Sequence, residues 1–282
     1  MRYYLETNAL RKINSKLQVV REQSFTSNLA IFEIISGINE KEYSLLKSVI
    51  SNVTESLINI DWRYPDEIIA GAFPSIGCIE HKKEDLKKLC RILISSFDFT
   101  DFQLKTNELK YGLDYFSNLD KFYSTRFIQS TISGIKEIKQ GKEKFKKYTI
   151  MNQIYKDYVD NLIRDISNNC VVNNSLTIYS LVQYIANRID KDLPERDKKR
   201  IFNSYNGTIK FFVEAFSVFS ISLLKDGKIP AKNDWVDIQH ILYLQDNDNI
   251  NLVTEDKLLI NLLNKLWPNK VIDSKSLIKI CA

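Results

Sequence analysis

The sequence predicts an α/β protein: a parallel sheet flanked by helices, with a large all-helical insertion between its two halves. Three observations point there. Only 8 Gly and 5 Pro punctuate 282 residues, too few turn formers for a sheet-dominated chain. Short apolar runs of strand length lie near the two ends, each leading into a helix, which is the order that parallel sheets need. Between them runs helical periodicity with no convincing strand. At 44% hydrophobic residues the chain can fill a packed core.

In order, Arg2 to Leu5 reads as a strand, followed by a helix from about Asn8 to Gln18. "SFTSNLAIFEIISGI" offers Thr26 or Ser27 as N-cap, then apolar Leu29, Ile31, Phe32, Ile34 and Ile35, and a stop near Gly37. "NEKEYSLLKSVISNV" is a third helix, with Leu45, Leu46, Val49 and Ile50 on one face. The middle holds amphipathic helices, one with Leu86, Leu89, Ile92 and Leu93 on one side, another at "SLTIYSLVQYIANRI". "ERDKKRIFNSYNGTIKFFVEAFSVFSISLL" reads as one long helix and "KNDWVDIQHILYLQ" as a capped amphipathic one. "INLVT" is a strand, "EDKLLINLLNKLW" a helix and "KVI" a last short strand. The expected division is residues 1–60 with 199–282 as one discontinuous α/β domain, and 61–198 as the insertion. Surface loops tolerate insertions well.

Composition narrows the setting. A formal net charge of +5 is compatible with a nucleic-acid partner without establishing one. Cys78, Cys90, Cys170 and Cys281 form no CxxC pair and read as free thiols in a reducing compartment. No signal-peptide pattern precedes the first strand, and no apolar run is long enough to cross a bilayer. A cytoplasmic location without membrane contact is therefore expected. Neither His81 nor His240 belongs to a visible triad, which argues against Ser/His/Asp and Cys/His catalysis.

The acidic residues at the edges of the α/β pieces carry the chemistry. Glu6 ends the first strand, Glu33 lies in the following helix, Asp237 opens a later helix with Asp234 three residues before it, and Asp256 follows "NLVT". In a parallel sheet the carboxyl ends of adjacent strands and the neighbouring helix starts converge on one crevice. Carboxylates gathered there repel one another and call for protons or cations. Hard divalent ions, Mg²⁺ or Mn²⁺, suit oxygen ligands. Such a site suits phosphodiester hydrolysis.

"YYLETN", "FTSNLAIFEI", "DWVDIQHILYL" and "LVTEDKLL" resemble the four signature segments of PIN-domain nucleases. The resemblance covers about the first 60 and last 90 residues and is silent on the middle. It implies a PIN-like sheet and metal-binding, catalytic roles for Glu6, Glu33, Asp237 and Asp256. It implies supporting roles toward ligands or phosphate for Asn8, Ser27 and Thr254, and Asp234 joins them as either a ligand or an N-cap. The implied activity is a Mg²⁺- or Mn²⁺-dependent endoribonuclease, a toxin or defence effector, with RNA as substrate. A protein partner or inhibitor would sit on the helical insertion, and the oligomeric state stays open, a dimer included. One departure matters: position 6 is Glu where the family has Asp. The extra methylene moves the carboxylate, so metal binding can survive while the rate falls. The alternative reading is a catalytically weak or inactive PIN-like scaffold that binds RNA or protein.

Blander readings stand beside these. Asp237 and Asp256 are also the acids that a helix dipole favours in a first turn. His240, three residues after Asp237, reads first as a helix-surface or partly buried histidine, with contact to metal or phosphate as the sharper alternative. The lysines from Lys136 to Lys147 form either a solvated helix face or a rail for a phosphate backbone.

Overall fold

A computed structural model describes residues 1–77, 83–107, 174–189 and 193–282, with a few isolated positions between 109 and 136. Its centre is a five-stranded sheet, ordered β3-β2-β1-β4-β5 and parallel throughout. The strands are β1 (Arg2–Leu5), β2 (Ser24–Ser27), β3 (Asn59–Asp61), β4 (Ile250–Val253) and β5 (Val271–Ile272). β1 lies in the middle, with Tyr3 opposite Ser24 of β2 on one side and Asn251 of β4 on the other. The two ends of the chain therefore build one sheet. Helices cover both faces, so the central strands are buried throughout: every residue of β2 and β4, and Tyr3, Tyr4 and Leu5 of β1.

Among the described residues the helices in chain order are α1 (Thr7–Ile13), α2 (Leu17–Val20), α3 (Asn28–Ser36), α4 (Tyr43–Glu55), α5 (Pro65–Gly71), α6 (Lys83–Ser95) and α7 (Phe99–Asn107). They continue as α8 (Asn174–Ile189), α9 (Glu195–Asn203), α10 (Lys210–Asp226), α11 (Asp234–Gln239), α12 (Lys257–Leu266) and α13 (Ser274–Cys281). Four starts carry side-chain caps. Glu6, Ser27, Asp256 and Asp273 each accept hydrogen bonds from backbone N–H groups of the first turn that follows them. Pro65 opens α5, where its missing N–H is no loss.

The expected strands at Arg2–Leu5, "INLVT" and "KVI" are present, and so is the parallel α/β class. Several local expectations need correction. "SFTS" is a strand before it is a cap, and β3 was not expected. The long helix from Glu195 is two, α9 and α10, because Gly207 adopts φ +83° in the connection. In α4 the buried face is Tyr43, Leu46, Val49, Ile50 and Val53, while Leu45 is 44% exposed. The helix holding "WVDIQ" starts at Asp234, so Asp237 sits within its first turn instead of opening it.

One contiguous core joins the sheet to its helices. It includes Leu5, Leu10 and Ile35 from the N-terminal end and Leu252, Leu259 and Leu263 from the C-terminal end. Ile69, Phe73, Leu89, Phe102, Val182 and Ile185 from the middle of the chain belong to the same cluster. Among the described residues no helix is long and apolar enough to cross a membrane. Cys90 and Cys281 are free thiols; Cys78 and Cys170 lie outside the described residues, as do His81 and almost all of the Lys136–Lys147 stretch.

Candidate functional site

Strand order reverses direction between β1 and β4: β2 and β3 continue on one side of β1, β4 and β5 on the other. The helices following β1 and β4 then leave a crevice at the carboxyl ends of these strands, the place where open α/β sheets bind ligands. Glu6 follows β1 and Thr254 follows β4 directly. The site residues named from sequence are brought to this edge.

Glu6 is 2% exposed. It caps α1, its two oxygens accepting from the Asn8 and Ala9 N–H groups at 2.7 and 3.1 Å. Burial raises its pKa; His240 and the Asn8 N–H oppose the rise, and Glu33 adds to it. Glu33 projects from α3. Its Oε2 accepts from the Thr7 hydroxyl and lies 2.6 Å from His240 Nε2. Asp237, on α11, has its pKa pushed up to about 7, first by burial, then by Glu33, with smaller contributions from Asp256 and Glu6 against the pull of His240. Among the described residues the Asp237 side chain makes no hydrogen bond or ion pair, its backbone N–H donating to the Asn233 carbonyl. Asp256 caps α12, Oδ1 accepting from the Leu259 N–H at 2.9 Å. The four acids thus form one electrostatically coupled group assembled from residues 6 to 256.

The supporting residues divide. Thr254 is fully buried, its Oγ1 accepting from the Asp256 N–H at 2.9 Å and shaping the turn into α12. Ser27 is fully buried, caps α3 through the Ala30 N–H at 3.1 Å and lies 2.7 Å from the Tyr4 hydroxyl. Asn8 is exposed at the mouth of a 590 Å³ cavity that it lines with Arg11, Lys12, Glu255, Asp256 and Lys257. Asp234 is not an N-cap: Asn233 holds that position, and Asp234 accepts backward from the Ala231 N–H at 2.8 Å. Burial raises its pKa and Asp256 contributes, which places it at the margin of the same acidic group.

Sequence reasoning passed over Tyr4, Thr7 and the part played by His240. His240 is 1% exposed, neither a surface nor a partly buried histidine. Its Nδ1 lies 2.6 Å from the Tyr4 hydroxyl, and Tyr4 stacks on Tyr243 with ring centroids 5.2 Å apart. Burial lowers its pKa, yet Glu33, Glu6 and Asp237 outweigh burial and raise it. An aromatic within the first strand and a histidine one turn after an acid were the available signals. Their contact spans 236 residues of sequence.

The donor set fits a hard divalent cation in kind: four carboxylates, no thiol, and a mutual repulsion that a cation would relieve. As placed, no group of three or more His, Cys, Asp or Glu side chains among the described residues closes on one ion position. Both oxygens of Glu6 are taken by the start of α1, and Oε2 of Glu33 by Thr7 and His240. No protein-family model, curated protein or solved structure matches the chain.

Proposed function

We propose that the protein is a Mg²⁺- or Mn²⁺-dependent, PIN-like endoribonuclease, with Glu6, Glu33, Asp237 and Asp256 as the residues that hold the ion. The observation that carries this reading is the coupled carboxylate group at the β1–β4 switch point, Glu6 buried and Glu33, Asp237 and Asp256 half-buried, with the Asp237 carboxyl pKa pushed up to about 7. Acids that raise one another's pKa in a crevice mark a site built for something positive. The bound ion would polarise a phosphodiester and make water a competent nucleophile. The chain's own residues do the rest. Among the described residues Asp256 Oδ2 has no hydrogen bond while Oδ1 caps α12, so helix and ligand roles coexist. Thr254 and Ser27 fix the backbone on which Asp256 and Glu33 ride. Asn8, Arg11, Lys12 and Lys257 line the cavity beside Asp256, with Arg11 paired to Glu42 and Lys12 to Glu255, so an anionic chain there would compete with these acids for the two cations.

RNA is the substrate in this reading, in a cytoplasmic setting, and the helices within residues 61–198 are the region that selects the RNA or receives a protein partner or inhibitor. The toxin or defence role belongs to the same proposal. RNA cleavage measured with Mn²⁺, Mg²⁺ and EDTA tests it, for the chain as it stands, for Glu6→Asp and for Asp256→Asn. Asn caps a helix as well as Asp, so Asp256→Asn removes charge without removing the cap. Metal-dependent cleavage that disappears in Asp256→Asn supports the nuclease. Cleavage that rises in Glu6→Asp identifies position 6 as the weak point, since the shorter acid still caps α1 but sets its carboxylate back by one methylene.

A second reading has an observation of its own. Both Glu6 oxygens already accept backbone N–H groups, and Glu33 is already held by Thr7 and His240. A carboxylate with protein partners needs no ion, which favours a PIN-like scaffold that binds RNA or protein without cutting. Absence of cleavage in every variant, with no ion bound, would select it.

A further inference from the structure

We infer that His240 is a positioning residue that presents Glu33 to the cleft, through a hydrogen-bonded chain anchored on Ser27 and Tyr4. This rests on the nuclease reading and adds to it a residue that reading leaves without a role. The chain runs Ser27 Oγ, Tyr4 Oη, His240 Nδ1, His240 Nε2, Glu33 Oε2, with steps of 2.7, 2.6 and 2.6 Å between the three pairs of side chains. Thr7 donates to the same Glu33 oxygen from the other side.

The protons can be placed without conflict. With His240 as its Nε2–H tautomer, Ser27 donates to Tyr4, Tyr4 donates to Nδ1, and Nε2–H donates to Glu33. Ser27 Oγ still accepts from the Ala30 N–H, so every member is used. In the imidazolium form Nε2–H still donates to Glu33, while Nδ1–H donates to Tyr4 and the Tyr4 hydroxyl turns to donate to Ser27. Glu33 is therefore held in both states of the ring, more strongly when the ring is charged.

The geometry gives the hold a direction. Ser27 caps α3 and Glu33 lies six residues further along the same helix, so the chain leaves the helix at its start and returns to it near its end. The ring cannot turn: both nitrogens are engaged, and the aromatic packing of Tyr4 on Tyr243 and Phe25 fixes the phenol. Oε2 of Glu33 is then held twice, while Oε1 has no partner among the described residues. One oxygen is anchored and the other is offered. A histidine that orients an acidic ligand in this way typically affects metal affinity or rate about 10- to 100-fold.

The test compares His240→Leu, His240→Gln and Tyr4→Phe with the wild-type chain. Mn²⁺ affinity is read by calorimetry, kcat and KM separately on RNA, and Tm as a fold control. His240→Leu removes the donor and is expected to weaken Mn²⁺ binding or lower kcat by about 10- to 100-fold at unchanged KM. His240→Gln keeps an N–H donor and is expected to recover most of that loss. Tyr4→Phe cuts the chain one step back and carries the test if His240→Leu does not fold; a several-fold loss is expected. Wild-type affinity and kcat in His240→Leu, or in Tyr4→Phe where the leucine variant is unfolded, would overturn the inference. So would a glutamine variant as impaired as the leucine one. A wild-type chain that binds no Mn²⁺ and cuts no RNA overturns the nuclease reading and this role with it; the two failures differ in whether the wild type itself is inactive.

Discussion

Asp237 is the residue at which the electrostatics of the crevice become measurable. Its folded-state pKa lies at about 7, raised from an ordinary value of 3.8. Between those values the folded protein holds a proton that the unfolded chain has released. Stability associated with Asp237 is therefore full below about pH 4 and declines as pH rises toward 7. Asp237→Asn, which keeps the shape and removes the charge, is expected to stabilise the metal-free protein above pH 7 by roughly 1–4 kcal/mol and to leave it little changed at pH 4. Urea denaturation at the two pH values checks this. At Asp256 the cap and the charge separate by substitution. Asp256→Ala is expected to cost about 1 kcal/mol through the lost cap, Asp256→Asn close to none, and both are expected to abolish metal-dependent cleavage. Glu6, Asp237 and Asp256 could be named from sequence because strand ends and helix starts are visible there, and Glu33 because its helix resembles a family segment. His240 and Tyr4 could not be assigned, since nothing local in either segment records a partner more than two hundred residues away.

Among the elements, the strands that were legible were those with apolar runs, β1, β4 and the short β5. β2 was missed because "SFTS" carries three hydroxyl residues and a cap signal, and it is buried by neighbouring strands and helices, not by its own composition. β3 is three residues long, which gives no period to read. The break between α9 and α10 was missed because one glycine in an otherwise helical pattern reads as tolerated. At Gly207 the backbone φ of +83° makes the residue necessary, and a Cβ there would meet open space. Gly207→Ala therefore isolates backbone strain: a loss of about 1 kcal/mol, read as a lower urea midpoint, with cleavage unaffected. Asp273, which caps α13 by accepting from the Ser276 N–H, offers a matching cap outside the acidic group. Its alanine variant is expected to lose about 1 kcal/mol as well.

For the whole molecule, the decisive fact is that the two chain ends share one sheet. β1 pairs with β2 on one side and with β4 on the other, so neither end forms a complete sheet alone. Removing residues 250–282 strips β4 and β5, exposes the ladder edge of β1 and takes Asp256 out of the acidic group. Such a truncated chain is expected to show no cooperative unfolding transition by circular dichroism. Leu89, Phe102 and Val182 share the core that the sheet builds, so the helices of the middle segment are tied to the same packing. The crevice at the β1–β4 reversal is thus a property of the full topology, and the proposed function stands or falls with its occupant. Calorimetric titration of the wild-type chain with Mn²⁺ at pH 7, repeated in two buffers of different ionisation heat, addresses that occupant directly. Binding accompanied by proton release, with the release lost in Asp237→Asn, is the expected result. No binding heat in either buffer, with the protein folded, would contradict a cation site at the switch point.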